Sequence, residues 1–358
     1  MNIFLLILQV VFVIGFLIFF HELGHFLASR AVGVPIDEFG FGYPPRLAKI
    51  AEWKGTEITL NWIPFGGFVK PKGETDEDVE GGMAAAPAWK RLVIALSGPV
   101  MNFLIGILLL VVIYSAVGIP ASNESMISQV SPESPAMQVG LQTGDIILAV
   151  DDQPVEDIDQ LIQEVAQKAG TEITLTIERD GETRAFSITP RLDPPPGEGA
   201  MGVGLSYPLK PTPFFQSMGY AFQTTGFVIK ETLMLPVRLI RGTVDPALAR
   251  PVGYKGIYDI YTRAVEMDQT SDLPTAEPLP IYTLSIIANI SLALGITNLL
   301  PIPALDGGRI LFTLPELLFN KRIPQKWENV VNTVSFVLLI GLMVVITVLD
   351  FSNPVVLP

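Results

Sequence analysis

The sequence predicts a polytopic α-helical membrane protein with four transmembrane helices, a membrane-associated β-hairpin and one α+β module outside the bilayer. Three observations carry this. Hydrophobic residues make up 49% of the 358 and are gathered into blocks rather than dispersed. Four of those blocks, Ile3 to Leu27, Leu92 to Val117, Ile281 to Leu300 and Val330 to Leu349, come close to the about 20 residues a helix needs to cross hydrocarbon. The long segment 118–280 between the second and third is polar: it holds 11 Lys+Arg and 22 Asp+Glu, so it carries −11 of the chain's net charge of −13.

Charge also orients the chain. Residues 28–91 hold 8 Lys+Arg and residues 301–329 hold 4, and short basic loops stay on the cytoplasmic side. Both are therefore expected inside, with the acidic middle segment and both termini outside. An acidic extracytoplasmic module excludes nucleic acid as a partner. The chain has no cysteine, so no disulfide follows and the compartment is not legible from redox chemistry. Met1-Asn2 offers no basic leader region, and the first apolar run reads as a retained span, not a signal peptide.

The first span contains His21-Glu22-Leu23-Gly24-His25, whose two histidines are the only ones in the sequence. Residues i and i+4 share one helix face, so both imidazoles can hold one tetrahedral metal, and Glu22 beside it can take a proton from water. This is the arrangement of a zinc peptidase. Two rings and a carboxylate inside a hydrocarbon-length helix are costly to bury, which points to function. With no cysteine and no third histidine, a third protein ligand must be Asp or Glu.

Region 37–72 changes character. Phe39 to Pro45 is rich in turn formers, and Glu57 to Lys70 reads as strands broken by Pro and Gly. Trp62, Ile63, Phe65, Phe68 and Val69 give this region a dense apolar surface. It is either an ordinary cytoplasmic hairpin or one that dips into the interface and offers a strand edge to an extended substrate. Glu74 to Glu80 is a solvated acidic loop, and Lys90-Arg91 marks the inner end of the second span. That span opens with Ser97-Gly98-Pro99-Val100-Met101-Asn102, where small residues allow close helix approach. Asn102 needs a polar partner, in helix packing or at the site.

Residues 126–206 read as a separate domain. Met126 to Val130 is a strand, Ser134 to Leu141 a short helix ended by Gly140, and Gly144 to Val150 a turn and strand. Asp159 to Ala169 has helical spacing, and Thr171 to Glu178 with Thr183 to Thr189 form a hairpin around Asp180-Gly181. The Gly-Leu-x-x-Gly-Asp-x-Ile core resembles PDZ domains of extracytoplasmic proteases. The Gly-x-Gly-apolar loop that binds carboxylates there normally precedes the first strand. Here its counterpart, Gly202-Val203-Gly204-Leu205, comes last, which implies a circularly permuted PDZ domain. Its groove either binds a peptide C-terminus by strand addition or only packs and restricts access. Residues 214–240, interrupted by Gln216, Gln223, Lys230 and Glu231, read as an amphipathic helix on the outer leaflet. Gly242 to Pro280 reads as a loop.

After the third span, Asn298-Leu299-Leu300-Pro301-Ile302-Pro303-Ala304-Leu305-Asp306-Gly307-Gly308 breaks the helix at membrane depth, which is tolerated only in a protein-lined cavity. Asp306 either caps a helix beginning at Gly307 or supplies the third ligand, which leaves a fourth position for water.

These paired motifs, together with Ser97-Gly98-Pro99-x-x-Asn102 and Trp62-Ile63-Pro64-Phe65-Gly66-Gly67, resemble the site-2 protease family of intramembrane zinc metalloproteases across nearly the whole chain. The likeness is closest to the bacterial regulator-of-sigma-E protease branch, whose members cleave anti-sigma factors. It implies one zinc ion held by His21, His25 and Asp306, with Glu22 as catalytic base. It implies substrate positioning by Asn298, Asn102 and the hairpin residues Ile63, Phe65, Gly66 and Gly67. A transmembrane substrate such as an anti-sigma factor, already trimmed by an upstream site-1 protease, and an address in the bacterial inner membrane follow from it as well. The best-studied members carry two tandem PDZ domains; this chain has room for one. Clearance of remnant signal peptides is the alternative within the same chemistry, and a non-proteolytic PDZ adaptor with a structural metal is the alternative outside it.

Overall fold

The structure, a computed structural model, describes residues 3–195, 197–244, 250–270 and 279–352, with the side chains of Pro64 and Phe65 outside that description. The expected substrate contact of Phe65 therefore falls outside the described residues. The chain divides into two compact units, one formed by Met1–Ile113 with Met218–Pro358 and the other by Tyr114–Ser217.

The larger unit begins with α1 (Ile3–Ala31), which carries the His-Glu-His motif near its C-terminal end. Strands β1 (Ile36–Trp53) and β2 (Thr56–Pro71) follow, joined by Lys54-Gly55, both in the left-handed region. The segment expected to be turn-rich, Phe39 to Pro45, is strand, and β2 runs unbroken where interruption was expected. Pairing overrides the local signals here. Phe39 aligns with Val69 on one side and Ile58 on the other, so the first half of β1 lies between both ends of β2. Glycine makes this possible: a side chain on Gly42 would stand 2.5 Å from the Ile63 carbonyl. Phe26, Ile36 and Phe39 bury the sheet against α1. α2 (Ala88–Val117) completes the first half of the unit.

In the smaller unit β3 (Ile119–Pro120) pairs with β10 (Leu209–Lys210), joining its two ends. Between them come β4 (Ser125–Val130), α3 (Pro135–Val139), β5 (Ile146–Val150), β6 (Gln153–Pro154), α4 (Ile158–Gln167), β7 (Ile173–Arg179), β8 (Glu182–Ile188) and β9 (Val203–Ser206). The strands form an antiparallel sheet in the order β8-β7-β5-β4-β9, with β6 beside β5. β9, the C-terminal strand of this sheet, therefore lies at its edge beside β4. Ile127, Ile147, Leu161, Leu175 and Ile177 form its core. The short helix is fixed at both ends: Ser134 Oγ accepts from the Met137 N–H, and Gly140 closes it at φ 83°.

α5 (Phe214–Ile240) returns the chain to the larger unit, followed by α6 (Tyr254–Thr270), α7 (Ile281–Leu299), α8 (Asp306–Phe319) and α9 (Gln325–Ser352). Among the described residues, α1, α2, α7 and α9 are the four helices long and apolar enough to cross a membrane, and α5 is not one of them. α6 corrects the sequence reading, which has a loop from Gly242 to Pro280. Its ends are rich in Pro and Gly, but Ile257, Tyr258, Tyr261 and Val265 form a helical stripe that packs on Leu6 and Val10 of α1. Carboxylates secure both ends. Asp350 Oδ2 accepts from the Gly253 and Gly256 N–H groups at 2.8 and 3.0 Å, and Asp268 accepts from the first N–H groups of α7, those of Tyr282 and Thr283.

Asp145 holds the smaller unit together. It is 1% exposed and pairs with the Arg179 guanidinium through both oxygens at 2.6 and 2.7 Å, while the Gln142 N–H donates to it at 2.8 Å. Burial pushes this carboxyl up, but Arg179 and the Gln142 N–H together outweigh it and hold it below the usual carboxylate range. A depressed folded-state pKa gives stability that is present above the unfolded value and lost as pH falls through the folded one. Asp145→Asn is expected to cost about 3 kcal/mol at neutral pH, read as faster hydrogen exchange of the β5 and β7 amides. The difference from wild type should vanish as the pH falls through the folded-state value.

Candidate metal centre

Two pairs of glycines bring the site together. On α1, a side chain at Gly24 would collide with the Ser97 carbonyl of α2; on α2, a side chain at Gly98 would overlap both imidazoles, 2.7 Å from His21 Nε2. The helices therefore cross at contact distance. On α8, side chains at Gly307 and Gly308 would strike the backbone of the 299–303 segment, 2.6 Å from the Leu299 carbonyl and 2.6 Å from the Ile302 carbonyl. The chain after α7 thus folds tightly onto the first turn of α8 and points Asp306 inward.

The result is a cluster of three ligand atoms. Asp306 Oδ2 lies 3.1 Å from His21 Nε2 and 3.3 Å from His25 Nε2, and the two nitrogens are 3.2 Å apart. Ligands held about 2.0–2.1 Å from a tetrahedral zinc stand about 3.3–3.4 Å from one another. Asp306 Oδ2 is buried and accepts no conventional hydrogen bond among the described residues. His25 Nδ1 lies 2.7 Å from the Ile94 carbonyl, which can only accept, so this nitrogen carries the proton and Nε2 presents its lone pair to the cluster. The donor set fits zinc. Asp306 is the first residue of α8, with no side-chain cap at Leu305 before it, so of its two expected roles the geometry favours the ligand.

Glu22 lines the same cavity, of about 330 Å³, with Asn102, Asn298, Tyr43 and Phe68. Its Oε2 accepts from the Val69 N–H of β2 at 3.0 Å, which ties the sheet to the site. Asn298 lines the cavity while its Nδ2 donates to the Leu294 carbonyl of its own helix. Asn102, for which the sequence offers a partner in helix packing or at the site, sets its amide 3.1 Å from His21 Nδ1. Ile63 aligns with Tyr43 and is exposed. Gly66 and Gly67 serve close packing: side chains there would stand 2.8 Å from Ile18 and 2.8 Å from the Gly40 carbonyl.

Sequence reasoning missed Val69, because any residue supplies a backbone N–H. It also missed Arg309, which pairs with Glu74 at the cavity wall. Its signal was present: Arg309 is three residues beyond Asp306 on one helix and so shares its face. In the smaller unit a second, apolar cavity of about 380 Å³ lies between α4 and β9, lined by Ile162, Val165, Met201, Val203 and Leu205. Gly202, at φ +73°, lets Ser134 approach where a side chain would stand, and Gly204 lies against Ser128.

The sequence matches Peptidase family M50 over residues 9–342. The chain belongs to peptidase family M50. It is 33% identical to a Clostridium perfringens protein, covering 95% of this chain and 96% of that one, and 32% identical to a Campylobacter jejuni protein, covering 97% and 93%. Both carry zinc-metalloprotease names. It is also 26% identical to the zinc metalloprotease RasP of Geobacillus kaustophilus, covering 97% of this chain and 98% of that one. With its four apolar helices it is a multi-pass membrane zinc metalloprotease, and the non-proteolytic adaptor alternative is set aside.

Gly98→Ala forces a methyl group into the histidine pair, an overpacking of about 1–3 kcal/mol that displacement of the rings relieves. Zinc per purified chain, measured by elemental mass spectrometry, is expected to fall at least severalfold, while Val100→Ala on the exposed face of the same helix retains it.

Proposed function

We propose that this M50 protease cleaves transmembrane segments of membrane proteins already trimmed outside the bilayer, the second cut of regulated intramembrane proteolysis, with an anti-sigma-factor-like protein as its substrate. The observation that carries the reading is the joining of the histidine–aspartate cluster, Glu22 and the edge of β2 in one cavity of the larger unit.

His21, His25 and Asp306 would hold the zinc. When bound, zinc acidifies water and polarises a peptide carbonyl. Glu22 takes the water's proton and passes it to the leaving amine. Its Oε2 is held by the Val69 N–H, which fixes the carboxylate's angle and leaves Oε1 for the proton. A helical substrate hides its carbonyls in its own hydrogen bonds, so it must be extended before attack. Pairing with the β2 edge beside Val69 supplies replacement partners for its backbone. Asn298 borders the space an extended segment would occupy.

The smaller unit selects. Its apolar groove between α4 and β9 takes a peptide C-terminus as a permuted PDZ domain does, with Gly202, Val203, Gly204 and Leu205 along the edge. An extracytoplasmic address for this acidic unit and for both termini fits the basic character of the short loops. α5 lies on the outer leaflet, and unit and helix together exclude intact proteins.

Three outcomes test this in liposomes with a single-span substrate. Glu22→Gln is expected to keep zinc and lose about 10²–10⁴-fold in turnover, and chelation is expected to abolish cleavage until zinc is restored. The pre-trimmed substrate should be cut well ahead of both its full-length form and a remnant signal peptide. Equal rates on full-length and trimmed forms would defeat the selection role, and preference for signal peptides would favour the clearance alternative.

A further inference from the structure

We infer that Asn102 is the positioning partner of His21: its amide oxygen accepts the His21 Nδ1 proton and so fixes the tautomer that presents Nε2 to the metal. This rests on the zinc assignment above and departs from the substrate contact expected of Asn102.

An imidazole that offers Nε2 to a metal must carry its proton on Nδ1, and that proton needs an acceptor. His25 meets the requirement with the Ile94 carbonyl at 2.7 Å. His21 faces the same requirement, and the group beside its Nδ1 is the Asn102 amide at 3.1 Å. Asn102 sits one helical turn beyond Gly98 on α2, the glycine whose missing side chain makes room for both rings. Its backbone is anchored too, since Ser291 Oγ of α7 donates to the Asn102 carbonyl at 2.8 Å. Asn102 itself is 1% exposed.

The proton that His21 Nδ1 must carry decides which end of the amide faces it. With Nδ2 toward His21, Oδ1 is buried and has no partner among the described residues. The oxygen and nitrogen of an amide fill nearly the same volume, so a half-turn about Cβ–Cγ exchanges them without repacking. That half-turn sets Oδ1 on His21 Nδ1, gives the buried oxygen a donor and leaves Nε2 unprotonated for zinc. Asn102 borders the cavity but is almost fully covered, and the group its amide meets there is the His21 ring. A neutral acceptor also orients the ring without adding a third carboxylate to Glu22 and Asp306.

The test uses the full chain in detergent as wild type, Asn102→Leu and Asn102→Asp, with zinc affinity measured by competition against a chromophoric chelator and KM measured on a trimmed single-span substrate. Leu matches Asn in size but cannot accept, so zinc binding is expected to weaken about 10–100-fold. Asp accepts as the amide oxygen does and should stay within a few-fold of wild type. If Leu binds zinc like wild type and only KM rises, Asn102 faces the substrate and the inference is overturned. If Leu and Asp weaken zinc binding alike, the residue acts through packing and the inference fails equally. A wild type that binds no zinc overturns the metal assignment and this inference with it, an outcome separable from the others because it precedes any substitution.

Discussion

Three electron-rich atoms, two imidazole nitrogens and a carboxylate oxygen, stand 3.1–3.3 Å apart in the interior of a largely apolar helical unit. With neither a proton nor a metal cation between them they repel, and burial strengthens the repulsion. A zinc ion held there would turn that repulsion into attraction, which would couple metal binding to the stability of the site. Much of the larger unit can be understood as the framework that holds this arrangement in place.

The ligands come from chain segments nearly three hundred residues apart, so their convergence depends on helix contact. In lipid there is little hydrophobic gain in pressing one apolar helix on another, and close backbone approach through small residues does the work instead. Gly24 and Gly98 do this between α1 and α2, and Gly106 and Gly295 admit Leu292 and Phe103 between α2 and α7. The same crossings carry polar bonds: the Ile94 carbonyl reaches His25, and Ser291 reaches the Asn102 backbone. Contact and polar satisfaction are thus one design.

The β1–β2 sheet and α6 extend the framework. A single backbone bond from Val69 to Glu22 ties the carboxylate beside the histidines to the edge of β2. α6 lies across the N-terminal half of α1 and is secured by Asp350 at one end and Asp268 at the other. Helix N-termini leave N–H groups without partners, and where water has poor access a carboxylate is an effective substitute.

The four apolar helices and the shared face of the two histidines were legible in the sequence, because each rests on a local pattern. Hydrocarbon-length apolar runs mark spans, the i, i+4 spacing of His21 and His25 fixes a shared helix face, and the absence of cysteine or further histidine confines the third ligand to a carboxylate. The same local rules misled at Gly242 to Pro280, where breakers at the ends hid α6, and at Phe39 to Pro45, where turn formers lie inside a paired strand. Only the tertiary structure decided these, along with the Val69 bond to Glu22 and the placement of Asn102 on His21. The physical reason is common to all four: each depends on a partner far away in sequence, a strand edge, a helix face or a ring nitrogen, whose position is set by packing and leaves no mark on neighbouring residues.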